Sequence, residues 1–180
     1  MKWNIDPTHS QAEFSVRHMF TKVRGHMVVT NGIVETDDLD PLKTVITARL
    51  DPSTINTGVS VRDDHLRSID FFDVQRYPEI VFQSTAISQT AKDRYAVTGT
   101  LSMRGVERPV TLQAYAAGDA IDPFGNRRAG VSAQTTLNRK DFGLQWNRTL
   151  ESGGFLVGDE VEINLEVEAV VDQAAHVEAA

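Results

Sequence analysis

The sequence predicts an all-β domain of about eight antiparallel strands, closed into a barrel or stacked as a sandwich. Three observations carry this. Apolar and polar residues alternate with a period of two in segment after segment. In the cleanest of them, Val161, Ile163, Leu165, Val167, Ala169 and Val171 alternate with Glu160, Glu162, Asn164, Glu166 and Glu168. Such a carboxylate row belongs in water and is incompatible with a sheet buried on both faces. Turn signals separate the segments, among them Asn31-Gly32, Arg104-Gly105 and Asp122-Pro123-Phe124-Gly125-Asn126.

Along the chain, the first strand is read at 12–20, with Ala12, Phe14, Val16, His18 and Phe20 on one face and Glu13, Ser15, Arg17 and Met19 on the other. Further strands are read near 25–34 and 43–50. The period then breaks. Ser60 followed by Asp63 resembles a capping box, with Asp for the usual Glu or Gln, so short helices are expected at 60–67 and 70–75. Tyr77-Pro78 ends the second, because proline disfavours a helical residue before it. A strand near 79–87 follows. At 95–103, Tyr95, Val97, Gly99, Leu101 and Met103 face one way; at 109–116, Val110, Leu112, Ala114 and Ala116 do so. At 129–137 the apolar face is Ala129, Val131, Ala133, Thr135 and Leu137, and 161–171 closes the series. One domain over 1–172 is expected, with a patternless, disordered tail at 173–180.

Composition narrows the chemistry. The chain of 180 residues carries a formal net charge of −7, which disfavours a broad nucleic-acid surface. It has no cysteine, so thiol catalysis, disulfides, Cys-ligated zinc and iron–sulfur clusters are out. No apolar run approaches the ~20 residues a membrane helix needs. The N-terminus lacks the apolar core of a secretory signal, so a cytoplasmic protein is expected, or a periplasmic one if a leader has been removed. Gly58-Val59-Ser60-Val61-Arg62 lacks the second glycine of a nucleophile elbow, and Gly153-Gly154 with Gly158 lacks the ending of a phosphate loop. No catalytic residue, metal site or cofactor is therefore expected.

A few side chains could still carry function. No histidine pair has helical zinc spacing; Asp6, His9 and His65 are the one set from which a metal-dependent or lipid-modifying enzyme could be built, the alternative being that His9 and His65 are hydrogen-bonding struts. His18 lies on an apolar face, where its ring must be bonded within a core or must contact a ligand in a cavity. Phe14, Phe20, Phe71, Phe72, Phe82, Phe142 and Trp146 either line a common space or fill a core, and Phe71-Phe72 suits a lid at a barrel mouth or a plug between strands. Arg62, Arg67, Arg104, Arg108, Arg139 and Arg148 lie beside turns, where a guanidinium fork meets a phosphate or carboxylate, or pairs with surface Asp.

Taken in order, several stretches resemble the YceI-like family of lipid- and polyisoprenoid-binding proteins. They are Trp3-x-Ile5-Asp6-x-x-His9-Ser10, Phe14-x-Val16-x-His18, Arg62-Asp63-x-His65-Leu66-Arg67-Ser68 and Asp70-Phe71-Phe72-Asp73. Tyr77-Pro78-x-Ile80-x-Phe82-x-Ser84-Thr85, Gly99-x-Leu101-x-x-Arg104-Gly105-Val106, Arg108-Pro109-Val110, Arg139-x-Asp141-Phe142-Gly143-Leu144 and Val157-Gly158-Asp159-x-Val161 complete the set. The resemblance implies an extended, eight-stranded, lipocalin-like antiparallel barrel around a long apolar tunnel. It implies a carrier, not an enzyme, for an isoprenoid chain such as a polyprenyl phosphate or a quinone tail. Phe14, Val16, His18, Phe20, Phe71, Phe72, Phe82, Leu101, Phe142 and Trp146 are then expected around the ligand, and Arg62 or Arg139 at its head group. Small residues at Gly99, Ala114, Ala116, Ala129 and Ala133 leave room for it if they point inward. The resemblance is compatible with a homodimer, and transient contact with a membrane surface, without an integral membrane segment, is a separate expectation.

Overall fold

The computed structural model describes residues 1–172 apart from position 38; the expected tail at 173–180 lies outside the described residues. The strands are β1 (Lys2–Ile5), β2 (Gln11–His18), β3 (Thr21–Glu35), β4 (Val45–Asn56), β5 (Ile80–Ala91), β6 (Arg94–Met103), β7 (Val106–Ile121), β8 (Arg127–Asn138) and β9 (Val157–Val171). One α-helix, α1 (Ser60–Arg67), follows β4, and 3₁₀ turns occupy Pro41–Lys43 and Arg139–Phe142.

All pairings are antiparallel. The order β3-β2-β9-β8-β7-β6-β5-β4 returns to β3 through the β3–β4 ladder, so the sheet closes into a barrel without a free edge. β1 is the strand that sequence periodicity missed, being only four residues long. It pairs with β3 at Trp3↔Val34 and with β9 at Trp3↔Val171, beyond the end of β2, which also lies between β3 and β9. β1 and β2 thus share one lane, interrupted at 6–10, and nine strands make an eight-lane barrel.

The alternation read in the sequence sets the register. The β8–β9 ladder runs unbroken from Asn138↔Glu160 to Arg128↔Val170, and its inward pairs include Leu137↔Val161, Ala133↔Leu165 and Ala129↔Ala169. Other expectations are corrected. The strand read at 12–20 ends at His18, because Met19 turns with φ 49°. Asn31-Gly32 is no turn but lies within β3, with Gly32 opposite Ala48. A Cβ on Gly32 would collide with the Ile5 side chain, so the glycine makes room for β1. The helix expected at 70–75 is a run of turns, diverted by Asp73 at φ 47°. Nor does Ser60 cap α1. Val59 occupies the cap without a side-chain bond, and buried Asp63 instead accepts from the backbone N–H and hydroxyl of Thr57, at 2.9 and 2.6 Å.

The barrel has two unlike ends. The helical end gathers α1, the β2–β3 turn, the 68–79 loop and the 139–156 segment. The terminal end gathers the start of the chain and the last described residues, joined where Asp172 N–H donates to the Lys2 carbonyl at 2.9 Å. Near the helical end, β4 steps from Asp51 to Asn56 while β3 steps only from Val28 to His26. The extra residues form a bulge that drives Ile55 into a packed cluster with Met27, Phe71, Ile80, Phe82, Met103, Phe142 and Leu144.

Candidate ligand-binding site

The remaining interior is open. A cavity of about 910 Å³ runs through the barrel, reaching Val59, Val61 and Arg62 at the helical end and Thr36, Pro41 and Thr44 at the terminal end. Its long wall comes from the predicted inward rows: Leu112, Ala114 and Ala116; Ala129, Val131 and Ala133; Val161, Ile163, Leu165 and Val167. In a packed core such rows are sealed from solvent. Here Leu112, Ala114, Ala116, Ala133, Ile163, Leu165 and Val167 are only half-buried, because they face a space large enough for water to enter.

Most of the expected ligand contacts meet on this wall: Phe14, Val16, His18, Arg62, Phe71, Phe72, Phe82, Leu101, Arg139 and Trp146. Phe20 does not. It sits in the β2–β3 turn with its side chain 87% exposed, beyond the last inward position of β2. Phe142 is also absent from the wall; at 2% exposure it belongs to the buried cluster that includes Ile55. Gly99 leaves no room for a guest, since a Cβ there would lie 2.5 Å from the Phe82 ring, which already fills the space. Sequence reasoning missed the contributions of Val23, Met27, Val29, Ile46, Ala48 and Leu50. Alternation in 25–34 and 43–50 carries that signal for part of them, whereas Val59 and Val61, on the approach to and first turn of α1, have none.

At the helical end, Phe71, Trp146 and the His65 ring form a cluster with centroids 4.7–5.4 Å apart, a plug beside the opening. Arg139 holds it in place. Nearly fully buried, it donates to the carbonyls of Gly158 at 2.8 Å, Leu144 at 2.5 Å and Trp146 at 2.9 Å, and to Asp159 at 3.4 Å. Burial pushes its pKa down while Asp159 opposes the shift. Its donors are engaged by the loop it pins, which corrects its expected place at a head group. Arg62 is different. Its Nε and one terminal nitrogen bond only Thr57, at 2.7 and 3.0 Å, and no carboxylate pairs with it among the described residues. The His18 ring has no hydrogen-bond partner among the described residues either. Two polar side chains with unused bonding capacity therefore face an otherwise greasy chamber near one mouth.

The trio Asp6, His9 and His65 is not assembled. His65 Nε2 bonds Asp70 at 2.9 Å, at the helical end. Asp6 and His9 lie in the break between β1 and β2, with His9 Nδ1 3.0 Å from Asp6 Oδ2. Asp6, His9 and Glu168 do converge. Arg128 already supplies the positive charge there, donating to Asp6 and Asp122 at 2.8 Å each and to Glu168. Hydrogen bonds from Thr8, Arg128 and His9 hold the Asp6 carboxyl well below the usual range, and those from Arg128 and Asn126 do the same for Asp122.

Comparison with known proteins agrees with this architecture. The family model of the YceI-like domain matches residues 3–169. A UPF0312 protein of Pectobacterium carotovorum is 32% identical over 170 residues, covering 94% of this chain and 85% of its own. Among solved structures, BcnA of Burkholderia cenocepacia superposes with a TM-score of 0.78 at 20% identity, over 91% of this chain and 98% of its own. A polyisoprenoid-binding domain from Saccharophagus degradans, described as implicated in plant cell wall breakdown, superposes with a TM-score of 0.69 at 14% identity, over 94% and 98%.

Proposed function

The chain belongs to the YceI-like family, and from that premise we propose that it is a non-enzymatic carrier for a long isoprenoid-type lipid, threaded through the barrel. The observation that carries the reading is the continuous apolar cavity of about 910 Å³ with half-buried inward rows. It is near the top of the range for small-molecule sites, and its length suits a chain more than a compact ligand. The polyisoprenoid-binding description of the Saccharophagus neighbour is consistent with such a guest.

The energetics favour the tail. Each buried CH₂ contributes about 0.8 kcal/mol, so every five-carbon unit adds roughly 4 kcal/mol before ordering costs. Little polar chemistry is then needed, and the wall offers little. His18 and Arg62 at the helical mouth provide it, so the head group sits there and the tail points toward β1. The Arg62 fork suits a phosphate, whereas a quinone oxygen would take a single hydrogen bond. Native mass spectrometry of gently purified protein, paired with organic extraction, is expected to reveal a co-purified long-chain apolar molecule. A barrel found empty from several expression hosts would overturn the reading.

A further inference from the structure

The helical end exposes large apolar side chains around the cavity mouth. Phe20 and Val61 are 87% and 78% exposed, Ile69 and Phe155 72% and 63%, and Met19 and Val59 are also exposed. They belong to one rim. Met19 N–H donates to the Leu156 carbonyl at 3.0 Å, which joins the β2–β3 turn to the segment carrying Phe155. Val59 and Val61 line the cavity itself, as do His18 and Leu156. Arg104 ties the Ile69 carbonyl to that of Gly143, at 2.8 and 2.7 Å.

The turn residues are informative. A two-residue hairpin loop ordinarily takes Asn-Gly, which reaches positive φ without strain. Here Met19 takes φ 49° and Phe20 follows it, so a large apolar pair stands at a tip where solvation and backbone both favour small polar residues. Cations flank the rim. Arg17 donates to the Phe20 carbonyl at 3.4 Å, Lys140 Nζ lies 5.7 Å from the Phe155 ring centroid while paired with Asp159 at 2.9 Å, and Arg148 is exposed nearby in sequence. The terminal end also exposes apolar groups, Leu39, Leu42, Ile121 and Phe124, but among Asp37, Asp40, Asp119 and Asp122, the last three paired with Lys43, Arg127 and Arg128. At the helical end Arg17, Arg62 and Arg148 pair with no carboxylate among the described residues, whereas at the terminal end Arg127 and Arg128 are matched by Asp119 and Asp122. An anionic lipid surface attracts such uncompensated cations.

We propose that the helical end is a membrane-docking face: its apolar rim enters the interface of a lipid bilayer, so that the cavity mouth opens against the acyl region. The inference rests on the carrier reading, because a guest with negligible aqueous solubility needs an apolar passage between bilayer and barrel. The rim supplies that passage, and the flanking cations meet lipid phosphates.

Flotation with phosphatidylcholine vesicles, with and without phosphatidylglycerol, tests it. Wild-type protein is expected to float, more strongly with the anionic lipid. The surface variant Phe20→Ser/Val61→Ser/Ile69→Ser/Phe155→Ser is expected to partition at least about tenfold less, with an unchanged melting temperature. Ile121→Ser/Phe124→Ser at the opposite end is expected to float like wild type. Failure of wild type to float, or equal loss in both variants, overturns the proposal. So does a wild-type dimer that the rim variant converts to monomer, since the rim then serves a second copy. Lipid extracted from the same samples separates the two readings. Flotation with an empty barrel supports the docking face and removes the carrier, while a loaded barrel that never floats keeps the carrier and removes the docking face.

Discussion

Arg139 and Arg62 stand at the same end of the barrel, and their neighbours give them opposite tasks. A buried guanidinium is tolerable only when its donors are answered, and Arg139 answers three backbone carbonyls and Asp159. Replacing it with Met leaves those carbonyls unmatched and frees the loop bearing Trp146, so a loss of about 3 kcal/mol is expected in denaturant unfolding. Lysine should rescue little, because one ammonium cannot reach carbonyls arranged around a planar fork. The sequence placed Arg139 beside a turn but held nothing about which atoms its side chain would meet, since those carbonyls come from 144–158. The same limit applies to Phe142. Its apolarity was legible, but whether it faces the cavity or joins the buried cluster depends on the 3₁₀ turn that carries it.

Strands longer than six residues were legible because two-residue periodicity repeats enough to be read, as in β9. β1 was not, having too few positions, and its place follows from long-range pairing with β3 and β9. The break between β1 and β2 is held by charge. Asp6 there and Asp122 on the β7–β8 turn both lean on Arg128, and both carboxyls are held below their ordinary range. A carboxylate depressed in the folded state stabilises it above the unfolded value of about 3.9, and that contribution is lost as pH falls below it. Melting temperature should therefore drop on acidification from about pH 5 to pH 3. Arg128→Met should start less stable at neutral pH and lose less over that interval, because its carboxyls titrate nearer their unfolded values. An equal acid loss in both proteins would show that the network does not carry the effect.

At the scale of the whole molecule, alternation and closure were legible, and hollowness was not. The same inward row of Ala, Val and Leu fits a solid core or an empty one, and only the half-buried state of those residues distinguishes them. Ala114 and Ala133 face each other across β7 and β8 on the cavity wall, which makes a direct test. Leucine at both positions would cost about 1–3 kcal/mol in a packed interior. In this barrel the double variant is expected to melt near wild type and to retain much less lipid in extraction. The first strand begins at the end of the barrel opposite α1, where Lys2 accepts from Asp172, the last described residue. An affinity handle or surface linker at the N-terminus will therefore anchor the cylinder by its base and leave the helix-bearing crown facing outward.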